Sequence, residues 1–306
     1  MSIDLQREQV IGVLCALGVV VLWSGFLILS RHAAARSLTP YDLTALRFGV
    51  SGVIMLPYLI RSGFKGLKAA HAIAITLTAG PGFSLCAYLG FSLAPVSHGA
   101  VLIPGVMPLF TAVLAVLIVK EPLGQGRMLS LALILSGIGF MAKDSLAYDS
   151  AGRGWGDLLF LCGSFSWAVY AVLARLWDIG PLQATASVSV LSMAGYLPIY
   201  IGFLPSKLAI APIGEVIVQG IYQGLLSVIV AMLLFTRAVG AVGPSVTTMI
   251  TAAVPGTAAL AAIPVLGEPL NLLTGLGLIL VTLGMMGAVF SVHPSKVESK
   301  KRMEKA

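Results

Sequence analysis

The uncharged stretches limit this chain more than any other feature. Residues 9–30, 69–119, 158–174, 179–206, 216–236, 238–267 and 269–295 contain no Asp, Glu, Lys or Arg. A membrane-crossing helix needs about 20 mostly apolar residues, so nearly every run is one or two spans long. Breakers divide the runs: Pro95-Val96-Ser97-His98 splits the longest, and residues 175–181, 205–214, 240–244 and 267–269 divide others. Ten spans result, at 10–30, 41–60, 72–94, 98–119, 127–145, 156–175, 183–204, 215–236, 244–266 and 270–291. No run alternates in the manner of a barrel strand. The expected fold is an all-α membrane protein of ten transmembrane helices embedded in a lipid bilayer. The first span stays in the mature protein despite Ala33-Ala34-Ala35, because its apolar core exceeds the roughly 7–15 residues of a secretion signal.

Composition excludes the soluble alternatives. Charged residues are 10% of the chain, against roughly a quarter in soluble domains, and 58% is hydrophobic, which excludes disorder. The net charge of +7 is assigned to loops at a membrane face, and no nucleic acid is expected. With the N-terminus inside, thirteen Lys and Arg fall on the cytoplasmic side: Arg7, Arg61, Lys65, Lys68, Lys120, Arg127, Arg175, Arg237 and five in the tail. Five fall opposite: Arg31, Arg36, Lys143, Arg153 and Lys207. Both termini are therefore expected in the cytoplasm. Cys15, Cys86 and Cys162 lie in apolar runs and read as small buried hydrophobes.

The second half echoes the first. Trp23 and Arg31 match Trp167 and Arg175 at an offset of 144, and Pro40 and Pro57 match Pro181 and Pro198 at 141. Pro108, Glu121-Pro122-Leu123 and Gly137 match Pro255, Glu268-Pro269-Leu270 and Gly284 at 147. A cytoplasmic N-terminus (1–9) precedes a five-helix repeat (10–147), then a second (154–291) and a basic cytoplasmic tail (292–306). Five is odd, so the second copy enters the membrane from the other side. Two inverted repeats are a basis for alternating access at mid-membrane.

Arg47 is the one charged residue well inside a span. Such a group is costly in lipid and points to function. Its guanidinium suits a carboxylate or phosphate, or it snorkels to the interface. Spans carry no mid-membrane Asp or Glu, which counts against a carboxylate proton relay, with His98 a titratable substitute. Trp23, Ser24, Tyr88, Trp167, Tyr170, Gln219, Tyr222 and Gln223 are further candidates for a substrate cavity. Gln219 and Gln223, four apart, share a helix face. Pro104, Pro108 and Pro255 are gating or kink candidates. Gly220 and Gly224 form a small-residue pair for close helix packing. Enzyme motifs and metal-ligand clusters are missing, and Gly152-Arg153-Gly154-Trp155-Gly156 lies between spans, so no dinucleotide fold follows. No cofactor or metal is expected.

The segment from Phe91 through Pro95, His98 and Leu102, with Pro108-Leu109-Phe110-Thr111 and Glu121-Pro122-Leu123, resembles the EamA-type permeases of the drug/metabolite transporter superfamily. Trp23-Ser24, Leu46-Arg47-Phe48 and the stretch from Arg237 to Pro269 are similar in the same way. The resemblance implies ten helices in inverted repeats and transport of small organic solutes such as amino acids, usually outward. It also implies a cavity lined by spans one, three, four, six, eight and nine. The small multidrug exporters of that superfamily carry a first-span glutamate that is missing from 10–30. An exporter of a small-molecule metabolite is the leading expectation. The alternatives are a proton-coupled drug exporter and an intramembrane enzyme acting on lipid. The sequence leaves the oligomeric state open, a monomer among the options.

Overall fold

The computed structural model describes residues 2–64, 66–119, 124–147 and 152–290. Lys65, Lys120, Glu121-Pro122-Leu123 and the tail 292–306 lie outside the described residues. Ten long helices follow one another: α1 (Ser2–Arg36), α2 (Pro40–Ser62), α3 (Ala69–Leu93), α4 (Val96–Ile118), α5 (Gln125–Ala147), α6 (Arg153–Leu176), α7 (Pro181–Phe203), α8 (Ile213–Val242), α9 (Pro244–Leu266) and α10 (Leu272–Phe290). Among the described residues the first nine are long and apolar enough to cross a membrane, and α10 is a shorter apolar helix. Helices α1 and α8 run past the expected boundaries, to Arg36 and Val242.

Local chemistry sets the ends. Thr39 caps α2 by accepting from the Asp42 amide, and Asp42 returns a bond from the Thr39 amide at 2.7 Å. Pro40, Pro181 and Pro244 sit in the first turns of α2, α7 and α9, where the missing amide costs nothing. Leu17, Val21, Ile201 and Phe203 are exposed, as expected of a face that meets acyl chains. The cysteines follow the same logic: all three are free, Cys162 is exposed, and the other two are half-buried. The expectation that they are buried fails because an apolar residue in lipid has no need of protein cover.

The packing exchanges the halves. α1 lies on α8 as α6 lies on α3, α1 meets α9 as α6 meets α4, and α2 meets α8 as α7 meets α3. α2 packs on α7 and α5 on α10. The α5–α10 contact shows the symmetry atom by atom. A Cβ on Gly137 would stand 2.8 Å from the Gly277 carbonyl and against Val281, and one on Gly284 would stand 2.8 Å from the Ser130 carbonyl and against Ile134. Each residue of the second set is the first set's counterpart at the offset of 147 already seen in the sequence. Glycine is required there because backbone meets backbone.

Irregular turns recur at matched places. α4 restarts after Val106 with Pro108 in its first turn, and α9 restarts at Val254 with Pro255 in its first turn. Pro104 lies in a wide π-type turn of α4. α3 and α8 each widen to π geometry, over Thr78–Gly82 and Gly220–Val230. Hydroxyls of α6 dock on backbone carbonyls of two of these turns, Ser164 on Ile103 at 2.9 Å and Ser166 on Thr78 at 2.8 Å. Neighbouring helices thus cover backbone groups that irregular turns leave open.

Candidate functional site

Arg47 lies seven residues into α2, about 10 Å along its axis, and is buried. It does not snorkel. Its Nη1 donates to Ser227 Oγ at 3.2 Å, while Nε has no hydrogen-bond partner among the described residues. The guanidinium carbon stands 5.3 Å from the Phe26 ring and 6.0 Å from the Phe48 ring. Tyr88 lies beside it. No ion pair involves Arg47 among the described residues, so hydroxyls and π faces carry its charge.

The neighbouring amides form a chain. The Tyr88 hydroxyl donates to Gln223 Oε1 at 3.0 Å. Gln223 Nε2 donates to Ser30 Oγ at 3.2 Å and to Gln219 Oε1 at 3.0 Å. Gln219 Nε2 donates to the Leu29 carbonyl at 3.1 Å, and Ser227 donates to the Gln223 carbonyl at 2.9 Å. Helices α1, α2, α3 and α8, drawn from both halves, therefore share one buried polar cluster. Gly224 makes the approach of α8 to Arg47 feasible: a Cβ there would meet Val50 at 2.5 Å and the Arg47 carbonyl at 3.1 Å.

Of the residues expected to line a cavity, Arg47, Tyr88, Gln219 and Gln223 come together. The others stand apart. Ser24 contacts Thr257 at 2.6 Å, beside the α9 restart. Trp23 stacks on Phe235 at 5.7 Å, and Tyr222 donates to the Leu22 carbonyl. Trp167 packs on Phe83 at 4.8 Å and on Tyr170 at 5.3 Å. The two tryptophans occupy equivalent positions without meeting. Ser30 and Ser227 escaped the sequence reading.

Three polar ties close one end of the bundle, here named the Arg31 end. In the first, Arg31 Nε pairs with Glu268 Oε1 at 2.8 Å, Arg31 Nη1 donates to the Phe91 carbonyl, and Glu268 Oε2 accepts from the Val96 amide at 2.8 Å. In the second, Asp42 accepts from the Tyr200 and Ser206 hydroxyls and from the Lys207 amide. The third centres on His98, which opens α4 as expected but is buried. Its Nδ1 faces Asp157 at 2.8 Å and its Nε2 faces Asp144 at 3.0 Å. Asp144 also accepts from Asn271 at 2.6 Å, from Thr274 and from Arg153. Both ring nitrogens of His98 therefore face a carboxylate. Sequence reading placed carboxylates only at helix ends and passed over Asp144; the fold buries that end.

The opposite end, named for Lys68, carries a cleft of about 520 Å³ between the α2–α3 and α6–α7 connections. Lys68, His71 and Asp178 line it, with His71 stacked on Trp177 at 3.8 Å. Leu67, Trp177 and Ile179 belong both to the cleft and to an apolar cluster around Phe48, Ile75 and Val188. No group of His, Cys, Asp and Glu fit to hold a metal occurs among the described residues.

Comparisons with known proteins agree with this architecture. The model of the EamA-like transporter family matches twice, at residues 10–143 and 154–290. An uncharacterized transporter of Bacillus subtilis (strain 168), YyaM, is 25% identical over 278 residues, covering 86% of this chain and 89% of its own. A solved crystal structure shares the fold with a TM-score of 0.60 at 17% identity, over 95% of this chain and 98% of that one. Two matched segments, each spanning five of the long helices, account for nearly the whole length, and the chain is a multi-pass membrane protein of the EamA-like transporter family within the drug/metabolite transporter superfamily.

Proposed function

We propose that the protein is a bacterial inner-membrane exporter of a small organic metabolite, an amino acid or related compound, working by alternating access. In this reading the repeats are inverted, both termini are cytoplasmic, the Arg31 end faces outward and the Lys68 end inward. The observation that carries it is the Arg47–Tyr88–Gln223–Gln219 cluster, buried between helices of both halves. A polar site at the repeat interface is where such transporters bind their solute. The ties at the Arg31 end and the cleft at the Lys68 end fit an outward-closed state loaded from the cytoplasm.

Purified protein in liposomes loaded with labelled metabolites tests this. Saturable efflux that persists after the pH gradient is collapsed is the expected result. Intact, folded protein that moves no solute would remove the reading. A second reading, proton-coupled efflux, rests on His98 between Asp144 and Asp157. Efflux that stops when the gradient is collapsed, and that loses its gradient dependence in His98→Gln, selects it.

A further inference from the structure

The two halves pair their helices in matching ways but differ in chemistry, and the difference bears on the solute. Gly80 of α3 meets Ser192 and Val188 of α7 where Gly224 of α8 meets Val50 and Arg47 of α2. The Gly80/Gly224 and Val188/Arg47 pairs give offsets of 144 between α3 and α8 and 141 between α2 and α7, the latter also that of Pro40 and Pro181. Carrying the polar cluster across places Val188 at the position of Arg47, Ile75 at Gln219, Ala79 at Gln223 and Tyr170 at Phe26. Those four are not scattered: they pack in one apolar cluster with Phe48 and Trp167. A site with one cation at one depth therefore has an uncharged, mainly apolar and aromatic twin at the mirror depth, where Ser192, the counterpart of Ser51, is also buried without a partner among the described residues.

Phe48 joins the two, since it packs in the apolar cluster and also flanks the guanidinium at 6.0 Å. The boundary is short of partners. Arg47 Nε and the hydroxyls of Ser51, one turn inward of Arg47, and Ser84, one turn inward of Tyr88, are buried without a hydrogen bond among the described residues. A buried cation with no carboxylate is expensive until an anion arrives, and buried hydroxyls without partners are rare in a finished interior. The guanidinium gains by an incoming acceptor group, and each hydroxyl gains by any polar partner within its reach. Arg47 is the one cation of this cluster among the described residues, so one negative charge balances it, and parting of the packed contacts on the Lys68 side would offer an apolar, aromatic face to a hydrocarbon body.

Resting on the transport reading above but replacing its zwitterionic amino acid, we propose that the solute is an organic monoanion with an apolar body, its anion on Arg47 and its body against Phe48, Trp167 and Tyr170. A zwitterion leaves its ammonium on the apolar side, and a small inorganic anion leaves the aromatic surface unused.

Four probes separate these cases in detergent-purified protein, read by quenching of tryptophan fluorescence or by thermal shift: 3-phenylpropionate, its neutral amide, L-phenylalanine and acetate. Phenylpropionate is expected to bind about tenfold or more tightly than each of the others. Arg47→Gln should abolish its advantage over the amide, and Arg47→Lys should restore part of it. The proposal is overturned if the amide or acetate equals phenylpropionate, if phenylalanine binds more tightly, if the preference survives Arg47→Gln, or if none of the four binds at millimolar concentration. Binding is read without a membrane, so its failure is distinct from a failure of flux. Phenylpropionate that binds but never crosses a liposome membrane would leave this site standing and remove transport.

Discussion

At the scale of single residues, a guanidinium with no carboxylate beside it responds to removal differently from one in an ion pair. Arg47→Met takes away a buried charge that, among the described residues, faces the Ser227 and Tyr88 hydroxyls and two rings but no carboxylate. The melting temperature in detergent should stay the same or rise, while efflux from proteoliposomes is lost. Gln223→Leu is the opposite case. It strips partners from Tyr88, Ser30 and Gln219 together, and should cost about 1–3 kcal/mol, seen as a lower melting temperature. Asp144→Asn should likewise lower the melting temperature by weakening its bonds to His98, Asn271, Thr274 and Arg153. Sequence made Arg47, Gln219 and Gln223 visible because a charge or amide inside an apolar run demands a reason. Ser30 and Ser227 gave no signal, since a helical serine satisfies itself on its own backbone. Asp144 was hidden for a different reason: a carboxylate at a helix end looks ordinary until neighbouring ends close over it.

At the scale of helices, the repeat makes paired predictions. Gly137→Leu and Gly284→Leu drive the same wedge into the α5–α10 contact, against carbonyls at the same 2.8 Å. Both should lower the melting temperature by similar amounts, while Gly139→Leu, with nothing within 4 Å, should leave it unchanged. Unequal effects would mean that the symmetry of the contact is not a symmetry of energy. The ten spans were legible from charge-free length, and the matched prolines from their offsets. The π-type widening of α3 and α8 was not, because Pro81 and the glycines there mark an irregularity without saying which kind. The meeting of α1, α2, α3 and α8 around Arg47 was also out of reach, since α2 was not among the spans expected to line a cavity.

At the scale of the molecule, the backbone symmetry and the broken side-chain symmetry work together. In the proposed mechanism, exchange of the two halves gives the bundle two related arrangements, open to one side or the other. The polar ties among the described residues gather at the Arg31 end, so that mechanism makes the two arrangements unequal in energy. It also requires that opening this end separate Arg31 from Glu268 and expose the cluster around Arg47. The measurement closest to this claim uses a cysteine at Ser227 in a background lacking Cys15, Cys86 and Cys162, treated from outside with a membrane-impermeant maleimide. With the ties intact, labelling should be slow, and Glu268→Gln, which breaks the ion pair, should raise it several-fold. Rapid labelling with every tie in place, or none after the ion pair is broken, would contradict the account.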